Sequence, residues 1–574
     1  MNKAALDTRG DIAAKLVPAI GALMALVLVG APLAMLIYAA FRGPADFLPF
    51  EPGAHFTFEN VRALFSDPVL LRRILPDTLT FVAGTVTMTT IIAFALAWLT
   101  ERTDLPARNL WFTLIILPLL IPIPVIAIAW IMLFGPNAGW ANQAIRAAMG
   151  MSGQGPLNIF SMGGLIVCQS FVTVPFVFLQ LSATLRGMSP ALEEAATMSG
   201  ASVLKTFWRI TLPVLRPGLL APLILVTLVT FEQFELPLII GLPARINIFA
   251  YRIYTELNPP SGLPNYGAAC AISLPFMVLG LLALTLYNRA IRHADRFVTV
   301  TGKGFNPRRL PLGRWRIPAI VLLTLYFSFG ALLPAATLLW TSLVGYTPPG
   351  VASFADVSFA SYRAFLGNAT FWRAVFNTFV VALSSALIVS ALGGLIAWIV
   401  ARSNLPGRRA LDVLSFMSLG IPAVIAALAV MVLYLSLPIG IYGTIWILII
   451  AYSYRLATAT RLARARITQI SREMEEAAEM SGARWLATQT RILLPLIAPA
   501  LASAFLIVFI IGLREFTIPF VLASQDNLVL PVLVWQLFQN GQPAPSAALG
   551  TLMIAMVLPM IFLMRRLLRR DADG

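Results

Sequence analysis

The chain reads as long apolar stretches separated by short polar breaks rich in charge, Pro and Gly. A bilayer core about 30 Å thick is crossed by roughly 20 apolar residues in a helix. Stretches of that length lie near residues 16–41, 78–100, 110–134, 161–185, 218–241, 267–288, 317–342, 376–400, 411–437, 441–462, 498–523 and 547–564. They predict an all-α, polytopic membrane protein of about 12 transmembrane helices, because a helix satisfies its own backbone groups where lipid offers no partner. Pro118, Pro122 and Pro124 in the third stretch and Pro422 in the ninth fit that reading. Packed membrane helices tolerate proline better than soluble ones do.

The pattern also repeats. Ser189 to Pro217 reads SPALEEAATMSGASVLKTFWRITLPVLRP, and Ser471 to Pro499 reads SREMEEAAEMSGARWLATQTRILLPLIAP. Glu194 and Glu476, Gly200 and Gly482, Ile210 and Ile492, and Pro213 and Pro495 share one offset of 282 residues. A second matched pair, WLTERTDLPAR (Trp98 to Arg108) and WIVARSNLPGR (Trp398 to Arg408), has an offset of 300. The difference corresponds to a longer polar segment, 135–160, in the first half, against Leu437–Tyr442 in the second. The chain is therefore predicted to divide into a first half, 1–288, a basic linker, 289–316, and a second half, 317–574, with six spans in each. Halves that start in the same sense form parallel repeats about an axis along the membrane normal.

Composition agrees with lipid as the main solvent: 59% of residues are hydrophobic, 11% are charged and the mean hydropathy is +0.84. The formal charge of +16 is mostly an orientation signal. With the N-terminus inside, most Lys and Arg fall on cytoplasmic segments, which also places the C-terminus inside. The basic surface is expected to meet anionic headgroups, and no nucleic-acid partner is implied. Lys3, Arg9 and Lys15 precede an apolar run with no small-residue cleavage site, so the first helix is expected to be retained. Cys168 and Cys270 lie in apolar runs, and His55 and His293 stand alone. No metal or cofactor site is expected from them. Gly302-Lys303 lacks the surrounding phosphate-loop pattern.

Each repeated stretch has the marks of a short surface helix followed by a re-entering one. Ser189 or Ser471 can cap it, Pro190 suits its first position, and Glu193 or Glu473 stands near the positive end of its dipole. Ala195-Ala196 and Ala477-Ala478 give a small-residue face. Gly200 and Gly482 suit a C-terminal turn that needs positive φ. An ordinary amphipathic connector at headgroup level would have no reason to reproduce this spacing twice.

Glu-Ala-Ala followed by Gly and then Ile-x-Leu-Pro resembles the EAA loop of inner-membrane permease subunits of ATP-binding-cassette importers, in both halves. In that family the loop docks into a groove on a separate ATPase subunit. The resemblance implies that Glu194, Ala195, Ala196, Gly200, Glu476, Ala477, Ala478 and Gly482 form the ATPase-coupling helices, with Arg209 and Arg491 against the partner or the headgroups. It implies two copies of the ATPase, a solute-binding protein and residence in the bacterial inner membrane. It also implies that ATP is used by the partner subunits and that this chain has no enzymatic activity and binds no cofactor. The fused layout and FELPLIIGLPARINIFAYRIY (Phe234 to Tyr254) resemble the ferric-iron type, whose relatives include thiamine, 2-aminoethylphosphonate and polyamine systems.

Charge within apolar stretches is costly and points to function, and the candidates are Glu232 and Glu235 in FEQFELP and Arg514 and Glu515 in LREFTIP. They fall at matching depth in the fifth span of each half. One reading makes them the lining or gate of a solute pathway. The other makes Arg514 a structural partner of Glu232 or Glu515. An ion-coupled secondary transporter would also suit two parallel halves, but it needs no ATPase-docking loops.

Overall fold

A computed structural model describes residues 12–187, 191–260, 262–294, 309–346, 348 and 354–573. Its long helices follow the apolar stretches. In the first half they are α1 (Ala13–Ala40), α2 (Leu70–Arg102), α3 (Arg108–Leu119 and Ile123–Phe134) and α4 (Met162–Gly187). After a short α5 (Ala191–Met198) come α6 (Phe207–Arg216 and Gly218–Phe231) and α7 (Tyr266–Ala290). The second half opens with α8 (Gly313–Val344) and α9 (Ala369–Arg402). Then come α10 (Arg408–Met417 and Ala423–Leu435) and α11 (Ile445–Tyr452 and Leu456–Gln469). Short α12 (Glu473–Met480), α13 (Trp485–Arg514) and α14 (Pro543–Asp573) complete it. Half of the predicted linker 289–316, residues 295–308, lies outside the described residues.

Among the described residues, seven helices are continuous, apolar and long enough to span a membrane, and two bent pairs raise that to nine. The twelfth predicted stretch lies in the apolar Pro543–Pro559 part of α14. The ninth and tenth, expected as continuous helices, are each broken into shorter pieces. The bends have local causes. In α3, which turns by 95°, Ile121 takes an extended conformation (ψ 131°) ahead of Pro122, as the residue before proline must. Pro422 breaks α10 at the corresponding place. Five wide helical turns stand just ahead of Pro32, Pro76, Pro213, Pro334 and Pro495. A proline ring cannot fit against the carbonyl one turn back and has no N–H to offer it, and widening the turn relieves the clash.

The halves are interlocked. Helix α1 packs along α9 and α10 of the second half, and α8 packs along α3 and α14. Tyr326 of α8 stacks on Phe171, with ring centroids 5.5 Å apart, and donates to the Ile115 carbonyl at 3.3 Å. Where α7 crosses the break in α10, a Cβ on Gly280 would stand 2.1 Å from the Gly420 carbonyl oxygen, so only glycine permits this approach.

Both repeated loops lie on one face. The start of α8 is pinned there: Leu310 N–H donates to the Arg102 carbonyl (2.9 Å), and Leu312 N–H donates to the Asp104 carboxylate (2.8 Å). From that face α8 crosses to the other side and α9 returns, so Arg402 ends level with Arg102. Helices α5 and α12 follow on this side, which is called the loop face below.

Candidate functional site

On the loop face, α5 and α12 have the same build. In each, the chain turns out of the helix through a left-handed glycine, Gly200 at φ +78° and Gly482 at φ +82°. The Ala201 N–H reaches the Ala196 carbonyl and the Ala483 N–H reaches the Ala478 carbonyl, both at 3.0 Å. These are the six-to-one bonds of a glycine-terminated helix end. Ser471 accepts from the Glu473 N–H at 3.3 Å, whereas Ser189 and Pro190 lie outside the described residues. Ala195, Ala477 and Glu476 are exposed, Glu194 and Ala478 are half-buried, and Ala196 is buried. Arg209 and Arg491 are exposed beyond them.

The sequence reading missed two features here. The first is a pair of equivalent methionines, Met198 and Met480, which are 88% and 89% exposed in the last turn of each helix. Apolar side chains so exposed, at the same place twice, mark a contact surface. The second is an ion pair beneath each helix, with Arg102, Arg402 and Glu475 buried and Glu193 half-buried. Arg102 lies 3.6 Å from Glu193, and Arg402 Nε lies 3.1 Å from Glu475. Glu193 also accepts from the Thr211 hydroxyl at 2.7 Å. Arg402 donates to the carbonyls of Ile467 (3.0 Å) and Ile470 (2.6 Å). Burial pushes the Glu475 carboxyl above its ordinary pKa range, against the pull of Arg402 and Arg472. The two arginines sit at matched places in WLTERTDLPAR and WIVARSNLPGR, which was the available signal.

Deeper in the molecule, the intramembrane charges converge where helices break. Helix α6 ends at Glu232 and α13 ends at Arg514, and short turns follow at Pro237–Gly241 and Thr517–Val521. The Thr517 hydroxyl donates to Glu235 at 3.2 Å. These two residues are 282 positions apart, so equivalent positions of the two halves touch and the contact lies on the pseudo-two-fold axis. Phe234 and its equivalent Phe516 are fully buried beside Phe520, with ring centroids 6.0 and 4.8 Å from it. Glu515 is held by Arg455 Nη2 at 2.5 Å. Arg455, inside the tenth predicted stretch, stands in the break of α11 and takes the partner role expected of Arg514, which lies within electrostatic reach of Glu235 and Glu515. Among the described residues, no group of three His, Cys, Asp or Glu side chains is placed to hold a metal ion.

Paired glycine-terminated helices on one face and broken helices meeting on an internal axis are the build of a membrane permease component. Residues 89–296 and 392–571 match the family described as binding-protein-dependent transport system inner membrane component. The chain belongs to this family, in which transport is shared with a binding protein and an ATPase. It is similar to the ferric transport system permease protein FbpB of Actinobacillus pleuropneumoniae, 24% identical, with 94% of this chain and 77% of that one aligned. It is also similar to the Fe(3+)-transport system permease protein FbpB 2 of Haemophilus influenzae, 22% identical, over 84% of this chain and 87% of that one. Among solved structures, a bacterial ABC transporter involved in import of the acidic polysaccharide alginate aligns with 45% of this chain and 96% of its own at 20% identity, with a TM-score of 0.36. A likeness at that level carries no argument here.

Proposed function

We propose that this chain forms the membrane pathway for ferric iron in an importer driven by two copies of an ATP-binding-cassette ATPase, one seated on α5 and one on α12. The observation that carries the proposal is the matched pair of docking helices, with Met198 and Met480 outermost and a left-handed glycine closing each. Glu194, Ala195, Ala196 and Gly200, with Glu476, Ala477, Ala478 and Gly482, form the contact surface. The loop face is cytoplasmic in this reading, as are the N- and C-termini. The two permease halves are 1–288 and 317–574, joined by the linker 289–316. ATP is consumed by the partners, and this chain binds no cofactor. Ferric iron as cargo is supported by the names of the relatives that align along most of the chain.

In this reading, closure of the ATPase pair on ATP brings α5 and α12 together and opens the axis toward a solute-binding protein on the opposite face. Glu232, Glu235, Arg514 and Glu515, with Arg455, form the gate. The Glu235–Thr517 and Arg455–Glu515 contacts close it. The test is uptake of ferric iron into proteoliposomes containing the full complex. Uptake is expected to require ATP and the loaded binding protein, to stop with vanadate, and to persist with excess thiamine or spermidine. Vanadate-resistant uptake driven by an ion gradient would contradict the proposal and favour a secondary transporter.

A further inference from the structure

Helices α2 and α9 are held at both ends by equivalent contacts. At the loop face, Arg102 and Arg402 pair with Glu193 and Glu475 of the docking segments. At the opposite end of α2, Arg73 donates to the Arg245 carbonyl at 2.9 Å, and the Thr78 hydroxyl accepts from the Phe249 N–H at 3.1 Å. In α9, Arg373 lies 3.2 Å from Asp526, Asn377 donates to the carbonyls of Asp526 and Leu528 (3.0 and 2.9 Å), and Thr378 accepts from the Leu530 N–H (2.9 Å). Residues 242–248 and 523–529, gripped in this way, are the segments that emerge directly from the charged breaks on the axis. Each helix, 33 or 34 residues long, is a rod of about 50 Å at a rise of 1.5 Å per residue.

We propose that α2 and α9 are transmission rods and that Arg102 and Arg402 are the positioning residues that fasten each docking helix to its rod. Displacement of a docking helix by an ATPase is then delivered across the membrane to the segment that closes the axis. The inference rests on the reading that α5 and α12 seat the ATPase. Two features favour a fastening role over a merely structural one. A buried ion pair pays a large desolvation penalty and often stabilises no better than apolar packing, so stability alone gives no reason to build it twice. The neighbouring bidentate pair Arg186–Glu101, at 2.8 and 2.7 Å, occurs in the first half only, because Ala401 stands where Glu101 does. Only the pair that reaches the docking helix appears in both halves. The Arg402 fork also ties in the end of α11 through Ile467 and Ile470, which fixes direction as well as contact.

The experiment uses the full complex in proteoliposomes and reads two quantities: ATPase subunits co-purified per chain, and ferric ions moved per ATP hydrolysed. For Arg102→Gln and Arg402→Gln, co-purification is expected to stay at the wild-type ratio while ions per ATP fall about ten-fold, the size of an ordinary coupling term. Arg402→Glu combined with Glu475→Arg is expected to restore only part of the loss, because the Ile467 and Ile470 carbonyls lose their donor. A structural pair would lower the yield of complex but leave ions per ATP unchanged in what survives, and that result overturns the proposal. Loss of co-purification in Arg402→Gln overturns it as well, because the pair would then build the socket itself. If Arg402→Gln does not fold, Glu475→Gln, which keeps the side chain's size, is read by the same criteria. Met198→Asp with Met480→Asp tests the underlying reading separately: unchanged co-purification there removes the docking role, whatever the rods do.

Discussion

Nothing lies within 4 Å of where a Cβ would stand at Gly200 or Gly482, so valine at these positions tests backbone conformation alone. A left-handed conformation costs a residue with a side chain about 1–2 kcal/mol, a cost that falls on the turns closing α5 and α12. Gly200→Val with Gly482→Val is expected to leave the chain in the membrane but stop uptake while ATP hydrolysis continues. Normal uptake in the double variant would contradict the docking role. On the axis, Arg455→Met removes the direct partner of buried Glu515 at a cost of about 3–5 kcal/mol, read as a lower unfolding temperature of the purified protein. Adding Glu515→Leu should recover most of it. Glu232, Glu235, Arg514 and Glu515 were legible in the sequence because a charge inside an apolar run stands out. Arg455 was not, because a basic residue reads first as orientation signal and only the fold brings it to Glu515. The pairing of Arg102 with Glu193 joins two different motifs, and no local pattern states a contact between them.

At the level of elements, apolar length predicted where helices run but not where they break. Pro122 and Pro422 stop α3 and α10 by removing a backbone donor, a signal that packed membrane helices often override. The break in α11 at Ser453–Arg455 has no proline. Its counterpart α4 is continuous although Pro175 lies inside it. At this break the second half carries Arg455 where α4 has Thr173. The crossing of α7 over the α10 break has a sharper consequence. Gly280→Leu would drive a side chain into the Gly420 carbonyl, and loss of the monodisperse peak in size-exclusion chromatography is expected. Gly367→Ala, where nothing lies within 4 Å of the new Cβ, should behave as wild type. Equal behaviour of the two variants would mean that the crossing is looser than described.

For the whole molecule, the duplication visible in the sequence becomes a pseudo-two-fold assembly in one chain, locked by the exchange of α1 and α8 between halves. The loop face is nearly symmetric: two short surface helices, two exposed methionines, two left-handed glycines and two Arg–Glu pairs. The axis is not, since Glu232 faces the position of Arg514 in the repeat, and Glu235 that of Thr517. Energy is thus expected to enter symmetrically and the solute to be handled asymmetrically. The exchange of α1 and α8 was invisible in the sequence because every apolar stretch offers lipid-compatible surface on all sides, and only packing chooses its neighbour. The claim on which the rest depends is that one chain offers two equivalent sockets. Native mass spectrometry of the complex purified from the membrane tests it directly. The account predicts one copy of this chain with two ATPase subunits. A complex with two copies of this chain, or with a single ATPase bound at saturation, would contradict it.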